Sequence, residues 1–283
     1  MGRIHFAALV GAALLLPQAG ALAADIPNIP PYVPPPIEVG HDWYLKGYIG
    51  MTNQHFEGLS HPLIADAIEN DFIFQWLDKG NFDSVPLFGV GIGWQHNENL
   101  RFDLTAEWRG KSAFSALDYY QLSDTRDVDP TDPTDGWGTN EYTGKKSELL
   151  FLANGYWDFA PIHGITPYLG AGIGMSYNTI TDFRDINTPT GNTAYAASGS
   201  VWSLAWALHA GASFKANDNL TIDLGYSFVN LGNAQSGTLA TAGVPCTVCA
   251  PMTFQNLYSH DFKIGLRYAF GGHENYAPAV VKY

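Results

Sequence analysis

From residue 43 onward, the sequence contains eight segments of about ten residues in which large apolar residues alternate with small or polar ones. A period of two is typical of β-strands whose two faces meet different surroundings. The predicted strands are 43–51, 85–96, 100–109, 147–159, 166–177, 200–215, 220–230 and 260–270.

The connections between these strands alternate in length. Three are tight turns, at 97–99, around 161–164 and at 216–219. The other four are long and polar, at 52–84, 110–146, 178–199 and 231–259. Short periplasmic turns and longer extracellular loops are typical of outer-membrane barrels. The pattern therefore predicts an all-β fold: an eight-stranded antiparallel up-and-down transmembrane β-barrel with four long extracellular loops.

The third strand shows which face meets lipid. Its apolar face runs from Leu100 to Trp108, whereas Arg101, Asp103 and Glu107 share the opposite face. The polar faces of the strands mix charges with Gly, Ala and Ser, which suit a narrow interior, and only 14% of the chain is charged. We therefore expect apolar residues to face lipid and polar residues to fill the lumen.

An eight-stranded barrel is just wide enough for side chains to fill it. Because unpaired buried charges are costly, the inward charges predict a salt-bridged polar plug. The predicted network consists of Lys46, Arg101, Asp103, Glu107, Asp223, Asp261, Lys263 and Arg267, accompanied by Arg109, Glu148 and Asp158.

Large aromatic residues lie near the ends of the predicted strands, as the interfacial girdles of membrane proteins require. These residues are Trp43, Trp94, Trp108, Trp157, Tyr177 and Phe228.

Two stretches of sequence, 120 positions apart, share the same hairpin pattern. GVGIGWQHNENLRFDLTAEW begins at Gly89 and HAGASFKANDNLTIDLGYSF begins at His209. Both carry Asn-x-Asn-Leu at the turn, so they predict two equivalent hairpins of one barrel and not a duplicated binding site.

The ends of the chain indicate export. Residues 1–24 have the positive charge, short apolar run and small-residue cleavage site of a signal peptide, with cleavage before Ala24 or Asp25. Residues 25–42 form a Pro-rich periplasmic linker, although such stretches also serve as ligands for partner domains. The barrel is expected over 43–270, and 271–283 forms a C-terminal tail.

The two cysteines, Cys246 and Cys249, lie in a loop between prolines. Because export implies an oxidising compartment, a disulfide closing this short loop is favoured over redox, metal-binding or free thiols.

Several stretches carry a family resemblance: WYLKGYIG at Trp43, FGVGIGW with NLRFDL, GITPYLGAGIG at Gly164 and the closing SHDFKIGLRYAF. They resemble the opacity-type, porin-like outer-membrane β-barrel proteins of Gram-negative bacteria. The resemblance implies insertion by the barrel assembly machinery, contact with outer-membrane lipid and lipopolysaccharide, and a structural, surface-antigen or adhesion role. Phe270 matches the terminal aromatic insertion signal of such proteins, although a tail follows it here.

No residue pattern supports catalysis, and we predict neither catalytic residues nor a cofactor. Ser259, His260 and Asp261 are adjacent, but strand neighbours point to opposite faces. His209 could instead share the inner face with Ser203 or Ser213. The net charge of −13 argues against nucleic acid as a partner.

The long loops permit three further hypotheses. Residues Leu63, Ile64, Ala67, Ile68, Phe72 and Trp76 have helical spacing and predict a short helix that caps the barrel mouth or meets a partner or lipid. His55 and His61 permit a haem hypothesis. Five acidic residues could bind calcium, but a solvated acidic loop is favoured. They are Asp124, Asp127, Asp129, Asp132 and Asp135.

The predicted function is that of an integral outer-membrane protein whose loops contact a host or cell-surface ligand. Three different functions stay open: a narrow porin-like diffusion channel, a haem- or ligand-binding surface protein, and a soluble carrier of lipocalin type.

Overall fold

The structure is a computed structural model that describes residues 43–69, 73–121, 136–241 and 249–270. It contains twelve β-strands and one short helix. The elements are β1 (Trp43–His55), β2 (Gly58–Ser60), α1 (Pro62–Glu69), β3 (Ile73–Asp78), β4 (Val85–Gln95), β5 (Leu100–Gln121), β6 (Trp137–Gly138), β7 (Asn140–Asp158), β8 (Ile165–Asn187), β9 (Thr193–Ala196), β10 (Gly199–Lys215), β11 (Leu220–Thr241) and β12 (Pro251–Ala269).

Eight strands close into a ring by antiparallel pairing, in the order β1, β4, β5, β7, β8, β10, β11, β12 and back to β1. The predicted up-and-down barrel is confirmed. No helix in the described ranges is long and apolar enough to cross a membrane.

The predicted strands match the observed ones closely at one end of the barrel, which we call the turn end. At the opposite, extended end several strands continue far into the stretches that we predicted to be irregular loops. The strand expected at 100–109 continues to Gln121, and the one expected at 220–230 continues to Thr241. β7 likewise begins at Asn140, inside the predicted loop 110–146.

A β-bulge explains why the alternation of apolar and polar residues did not predict these strand extensions. The pairing of β5 with β7 shifts register between Arg109 and Ser112. Odd-numbered residues of β5 such as Arg109 face inward before the shift, and even-numbered residues such as Phe114 face inward after it. The bulge therefore moves the inward face by one residue.

Around the turn-end half of the barrel, the outward side chains are apolar and form what we call the apolar belt. On β5 it extends from Leu100 to Trp108. Nine residues of a tilted strand rise about 23 Å, which matches the apolar band of an outer-membrane barrel. Exposed belt residues include Leu45, Ile49, Val90, Ile92, Leu104, Ile173, Leu204, Leu224, Phe262 and Ile264.

The predicted position of three aromatics at strand ends was wrong. β5, β8 and β11 continue ten or more residues beyond Trp108, Tyr177 and Phe228. These residues instead mark the outer limit of the apolar belt. Trp43, Trp94 and Trp157 do lie at strand ends, on the turn end of the barrel.

Beyond the belt the polarity of the wall reverses. The inside of the extended end is an apolar core, whereas outward positions such as Lys111 and Ser115 are exposed and polar. Large buried members of this core include Phe56, Phe82, Phe114, Tyr142, Phe183, Phe254, Ile180, Leu231, Met252 and Leu257.

The two repeated hairpins have the same turn geometry. The Oδ1 of Asn97 accepts hydrogen bonds from the backbone N–H groups of Asn99 and Leu100, at 2.9 and 2.8 Å. The Oδ1 of Asn217 accepts the equivalent bonds in the second hairpin, at 3.0 and 2.8 Å. The expectation of two equivalent hairpins is confirmed.

The helix expected in the first long loop is α1, which ends at Glu69. Ile64 packs against the apolar core of the extended end, which agrees with a capping role. Trp76 was wrongly included, because it lies in β3, and Phe72 lies outside the described residues.

Residues 1–42 and 271–283 lie outside the described residues. The signal peptide, the Pro-rich linker and the tail therefore stay predictions.

Candidate functional site

The lumen contains ionic side chains in successive layers along its length. In the layer nearest the turn end, the Nε of Arg101 lies 3.0 Å from Asp158 and the Nε of Arg267 lies 2.8 Å from Asp223. The Arg101 guanidinium also stacks on the ring of Tyr156, 4.0 Å from its centroid.

The next layer centres on Asp103. Its Oδ2 accepts a 2.7 Å hydrogen bond from the Nζ of Lys46, and its Oδ1 accepts a 2.7 Å bond from the amide of Asn154. The hydroxyl of Tyr44 also donates to Asp103, at 3.2 Å. The carboxylate is therefore compensated by one cation and three neutral donors, the third being the hydroxyl of Tyr156 at 3.5 Å.

The outermost ionic layer surrounds Arg109, which has no solvent exposure. Its guanidinium contacts three carboxylates: Glu107 at 2.7 Å, Glu148 at 3.0 Å and Asp261 at 2.6 Å. Lys263 binds Glu107 from the other side, at 2.7 Å.

A second buried cation, Lys146, completes this layer. It pairs with Glu148 and donates a 2.7 Å hydrogen bond to the Oε1 of Gln54. Thr52 and Ser259 satisfy the Nη1 of Arg109, at 3.3 and 2.7 Å. The cross-section at Arg109 is therefore filled by polar groups.

The structure brings the predicted network together. All eight predicted residues, with Arg109, Glu148 and Asp158, lie on the inner wall in ion pairs. The sequence reading missed Lys146, because it fell inside a predicted loop. It also did not predict that Tyr44 and Tyr48 face inward, although the repeated glycines of GVGIG indicate space for large neighbouring side chains. A Cβ on Gly89 or Gly93 would lie 2.1 Å from the rings of Tyr48 and Tyr44, so these glycines make room for the rings.

An aromatic cap follows the ionic layers toward the extended end. Phe114 and Phe254 lie 5.0 Å apart between ring centroids, and Phe56 and Phe82 contact both. Phe183 packs on Phe254 at 6.2 Å. We call these five residues the phenylalanine cap; all are at most 6% exposed.

On the turn-end side of the Arg109 layer, the lumen contains a small cavity that is partly open to solvent. Its lining includes Lys46, Arg101, Tyr168, His209 and Lys263. Because the lining cations are held by carboxylates, the cavity is polar but largely neutralised.

The adjacent residues Ser259, His260 and Asp261 point to two different faces of β12. Ser259 and Asp261 are buried in the lumen, whereas His260 lies on the opposite face and contacts the hydroxyl of Tyr226 at 2.7 Å. The adjacent triplet therefore does not converge.

His209 contacts neither Ser203 nor Ser213. Its Nδ1 lies 2.8 Å from the hydroxyl of Ser227, and its Nε2 lies 3.1 Å from the Oδ1 of Asn154. These contacts link the histidine to the Asp103 layer.

The haem hypothesis finds no support at His61. Its Nδ1 accepts a bond from the backbone N–H of Leu63, and its Nε2 bonds the carbonyl of Ala250, both at 3.2 Å. His55 contacts Asn81 at 3.1 Å. Ligation of iron by His61 would break its existing contacts.

At the extended end, the buried Asp118 and Tyr142 form an acidic cluster with the half-buried Asp185. Asp118 accepts a 2.7 Å hydrogen bond from the hydroxyl of Tyr142. Burial raises the pKa of Asp118, and burial together with the charge of Asp118 raises the pKa of Asp185 to about 7. The cluster thus holds a carboxyl group that titrates near neutral pH.

The remaining predicted residues stay untested. The five aspartates of the calcium hypothesis lie outside the described residues, as does Cys246, so the disulfide with Cys249 stays a prediction. Phe270 donates its backbone N–H to the carbonyl of Trp43, at 3.0 Å, which anchors it beside β1. Its role as an insertion signal stays a prediction.

Comparisons with known proteins agree with this architecture. The family described as "Outer membrane protein beta-barrel domain" matches residues 39–270. An uncharacterized Brucella melitensis protein is 30% identical, over 91% of this chain and 95% of its own length. Outer membrane protein PagN of Salmonella typhimurium is 32% identical, over 68% of this chain and 87% of its own.

A Rickettsia bellii protein described provisionally as an adhesin is 30% identical, over 63% of this chain and 72% of its own length. The family match covers the whole ring of strands, from β1 to β12. The chain therefore belongs to the outer-membrane β-barrel family and resides in the outer membrane of a Gram-negative bacterium.

Proposed function

We propose that this protein is a closed barrel that holds a folded recognition surface outside the cell, with an adhesion or surface-antigen role. The observation that carries the proposal is the extension of the strands beyond the apolar belt. β5 and β11 each continue more than ten residues past Trp108 and Phe228. The extracellular part thus has its own apolar core.

A rigid extracellular sheet is suited to recognition. Its outward side chains are solvated, and its core holds them in fixed positions, which lowers the entropy cost of binding. The likeness to a Rickettsia protein described provisionally as an adhesin supports the same role. We propose a protein or glycan on another cell as the ligand.

The lumen supports a closed barrel and not a diffusion channel. A solute would have to pass the layer around Arg109, where Thr52, Ser259 and Asp261 also have no exposure. It would then have to pass the phenylalanine cap. Opening this path requires separating ion pairs in a region of low dielectric constant, which is costly.

We also propose that the protein acts without catalysis. His209 and Ser227 are the described pair that comes nearest to a nucleophile and base, but both are buried in the lumen. Both line the lumen cavity inside the barrel wall, and the second ring nitrogen of His209 contacts Asn154.

The recognition role is tested by expressing the protein on a non-adherent bacterial host and counting bound bacteria on cultured cells. A matched variant would replace the extended ends of β5 and β7 with a short turn and keep the barrel below Trp108. We expect binding with the full protein and background binding with the shortened barrel. Equal binding by both would overturn the role.

Closure of the lumen is tested separately in planar bilayers. The folded protein should give no stable conductance steps, and Phe114→Ala with Phe254→Ala should still give none, because the Arg109 layer remains. Stable open channels in the wild-type protein would contradict closure without affecting the recognition role.

A further inference from the structure

The extracellular wall of the barrel has a seam between two strands that are paired closer to the membrane. β1 pairs with β4 as far as Thr52 and Val85. Beyond this point β1 and β2 follow β12, whereas the chain from Val85 back to β3 follows β5. Within the described ranges, no backbone pairing joins β1 or β2 to β3. Each side of the seam therefore carries the free edge of a strand.

Side chains bridge the seam in place of a backbone ladder. The Nζ of Lys79 donates a 2.7 Å hydrogen bond to the carbonyl of Glu57, and His55 contacts Asn81 at 3.1 Å. The N–H of Glu57 donates to the carbonyl of Gln255 on β12, at 3.0 Å. The carbonyl of Glu57 thus accepts from an exposed lysine side chain, which water or a ligand can replace.

The outward face of β3 is apolar, unlike outward positions such as Ser115 on the neighbouring β5. Ile73 and Leu77 are each 53% exposed on this face. On α1, which contacts β3, Leu63 and Ile68 are also more than half exposed. Exposed apolar patches with a polar rim mark interaction sites. An edge strand with an apolar face in water is a template for the addition of another strand.

The rim of this apolar patch is acidic. In the described part of 56–84, one lysine, Lys79, opposes four exposed carboxylates. These carboxylates belong to Glu57, Glu69, Asp78 and Asp83. A basic ligand is therefore favoured electrostatically, and an acidic one is repelled.

The chain's own segment 122–135, which follows β5, does not have the sequence of such a ligand. It contains five aspartates and two prolines. The aspartates would be repelled by the acidic rim, and proline lacks the N–H that a strand ladder needs. The occupant is therefore sought in another molecule.

We propose that the free edge of β3 binds an extended, basic and apolar segment of a protein ligand by β-strand addition. The proposal rests on the recognition role and names the chemistry of the partner. Backbone N–H and C=O groups of the segment would pair with the edge and provide affinity. Its apolar side chains, at every second position, would lie beside Ile73 and Leu77 across the ladder. Its lysines or arginines would bind the carboxylates of the rim.

The first test titrates folded full-length protein in detergent micelles with a probe peptide of alternating valine and lysine. The edge variant combines Ile73→Lys with Leu77→Lys, because lysines on an edge strand oppose further pairing. We expect it to bind the probe at least about tenfold more weakly, since two apolar contacts are lost and two positive charges are added. Heat-modifiable gel migration would establish that the variant is folded.

A matched control variant combines Thr238→Lys with Ala240→Lys. It adds the same charges at exposed positions of β11, which is paired with β9 and β12, and should keep wild-type affinity. A probe methylated on every backbone nitrogen keeps its side chains but cannot donate to a ladder, so it should bind at least about tenfold more weakly. The unmodified probe should slow hydrogen exchange of the β3 backbone N–H groups and leave β9 unchanged.

The adhesion assay of the recognition role then separates the two proposals. Bacteria that carry the edge variant should bind cultured cells at background level, and those with the control variant at wild-type level. Protease treatment of the cells should abolish binding, whereas glycosidase treatment should not. Undiminished adhesion with the edge variant would reject the edge as the site and leave the recognition role intact. If the wild-type protein gave no adhesion, the recognition role would fail, and the probe titration would still test the edge.

Four results would overturn the proposal. They are unchanged probe affinity in the edge variant, equal weakening in the control variant, equal binding of the methylated probe, and adhesion that only glycosidase removes, which would make the ligand a glycan. Self-association of the wild-type protein in micelles, abolished in the edge variant, would assign the edge to a second copy of the chain instead.

Discussion

The Nη2 of Arg109 lies 2.6 Å from the Oδ2 of Asp261, although 152 positions separate the two residues along the chain. The contact joins β5 to β12, which are three strands apart in the ring, so it crosses the lumen. Long-range contacts of this kind hold opposite walls of the barrel together and fill the space between them.

Replacing Arg109 should destabilise the barrel strongly. Arg109→Met removes the cation shared by Glu107, Glu148 and Asp261 and leaves buried carboxylates undercompensated. Breaking a buried ion pair from one side costs about 3–5 kcal/mol. Urea unfolding in micelles, followed by tryptophan fluorescence, would measure the loss.

The matched control is Lys215→Met, which removes the same charge from an exposed position at the turn end. We expect a change within about 0.5 kcal/mol there. If the Arg109 variant were no less stable than this control, the ionic layer around Arg109 would not stabilise the barrel.

The lumen network was predictable because β-strand alternation assigns every second residue to the same wall. Once Leu100 and Trp108 were placed toward lipid, Arg101 and Asp103 had to face inward. Which carboxylate each cation would bind was not predictable, because Arg109 and Asp261 meet only after the ring closes and fixes the stagger of its strands.

The extended end was not predictable from alternation. Beyond the bulge at Arg109, Phe114 and Ala116 face inward while Ser115 faces solvent, which reverses the lipid-type pattern. The strand predicted from one continuous apolar face therefore ended at the bulge. The same reversal hid Lys146, whose segment was assigned to a loop.

The phenylalanine cap should stabilise the extended end. Phe254 is fully buried, and its ring contacts Phe56, Phe82, Phe114 and Phe183. Phe254→Ala removes this contact area and leaves a cavity, so a loss of about 3–5 kcal/mol is expected. Differential hydrogen exchange of the backbone N–H groups beyond Trp108 would locate the effect.

Phe262→Ala on the same strand serves as the control. Phe262 is 66% exposed on the apolar belt, so its truncation leaves no enclosed cavity. We expect at most half the loss seen at Phe254. Equal losses at both positions would show that the cap is no better packed than the lipid-facing wall.

The two asparagine turns should contribute equally and independently. Asn97→Ala and Asn217→Ala each remove an acceptor of two backbone hydrogen bonds. A typical net contribution of about 1 kcal/mol is expected for each variant. Because the turns lie in separate hairpins, the double variant should lose the sum within about 0.5 kcal/mol.

Glu98→Ala, at the exposed tip of the first turn, is the control and should change stability little. Urea unfolding would compare the stability of these four variants with that of the wild-type protein. A clear difference between the Asn97 and Asn217 variants would contradict the equivalence of the two hairpins.

Asp185 should make the stability of the protein depend on pH. Its pKa is about 7 in the folded chain and about 3.9 in an unfolded one. Between these values the unfolded chain releases the proton while the folded chain keeps it. The free energy of unfolding therefore falls as pH rises from about 4 to 7, and the full loss due to Asp185 is present above pH 7.

Asp185→Asn removes this penalty, so the variant should be more stable than the wild-type protein at pH 8, by at most about 4 kcal/mol. The advantage should shrink at pH 5 and vanish near pH 3, where both states of the wild-type chain are protonated. Asp118 remains in both proteins, and the difference between them reports Asp185 together with its charge interaction with Asp118. Asp182→Asn at an exposed position is the control. A constant advantage from pH 4 to 8 would mean that Asp185 does not titrate on unfolding.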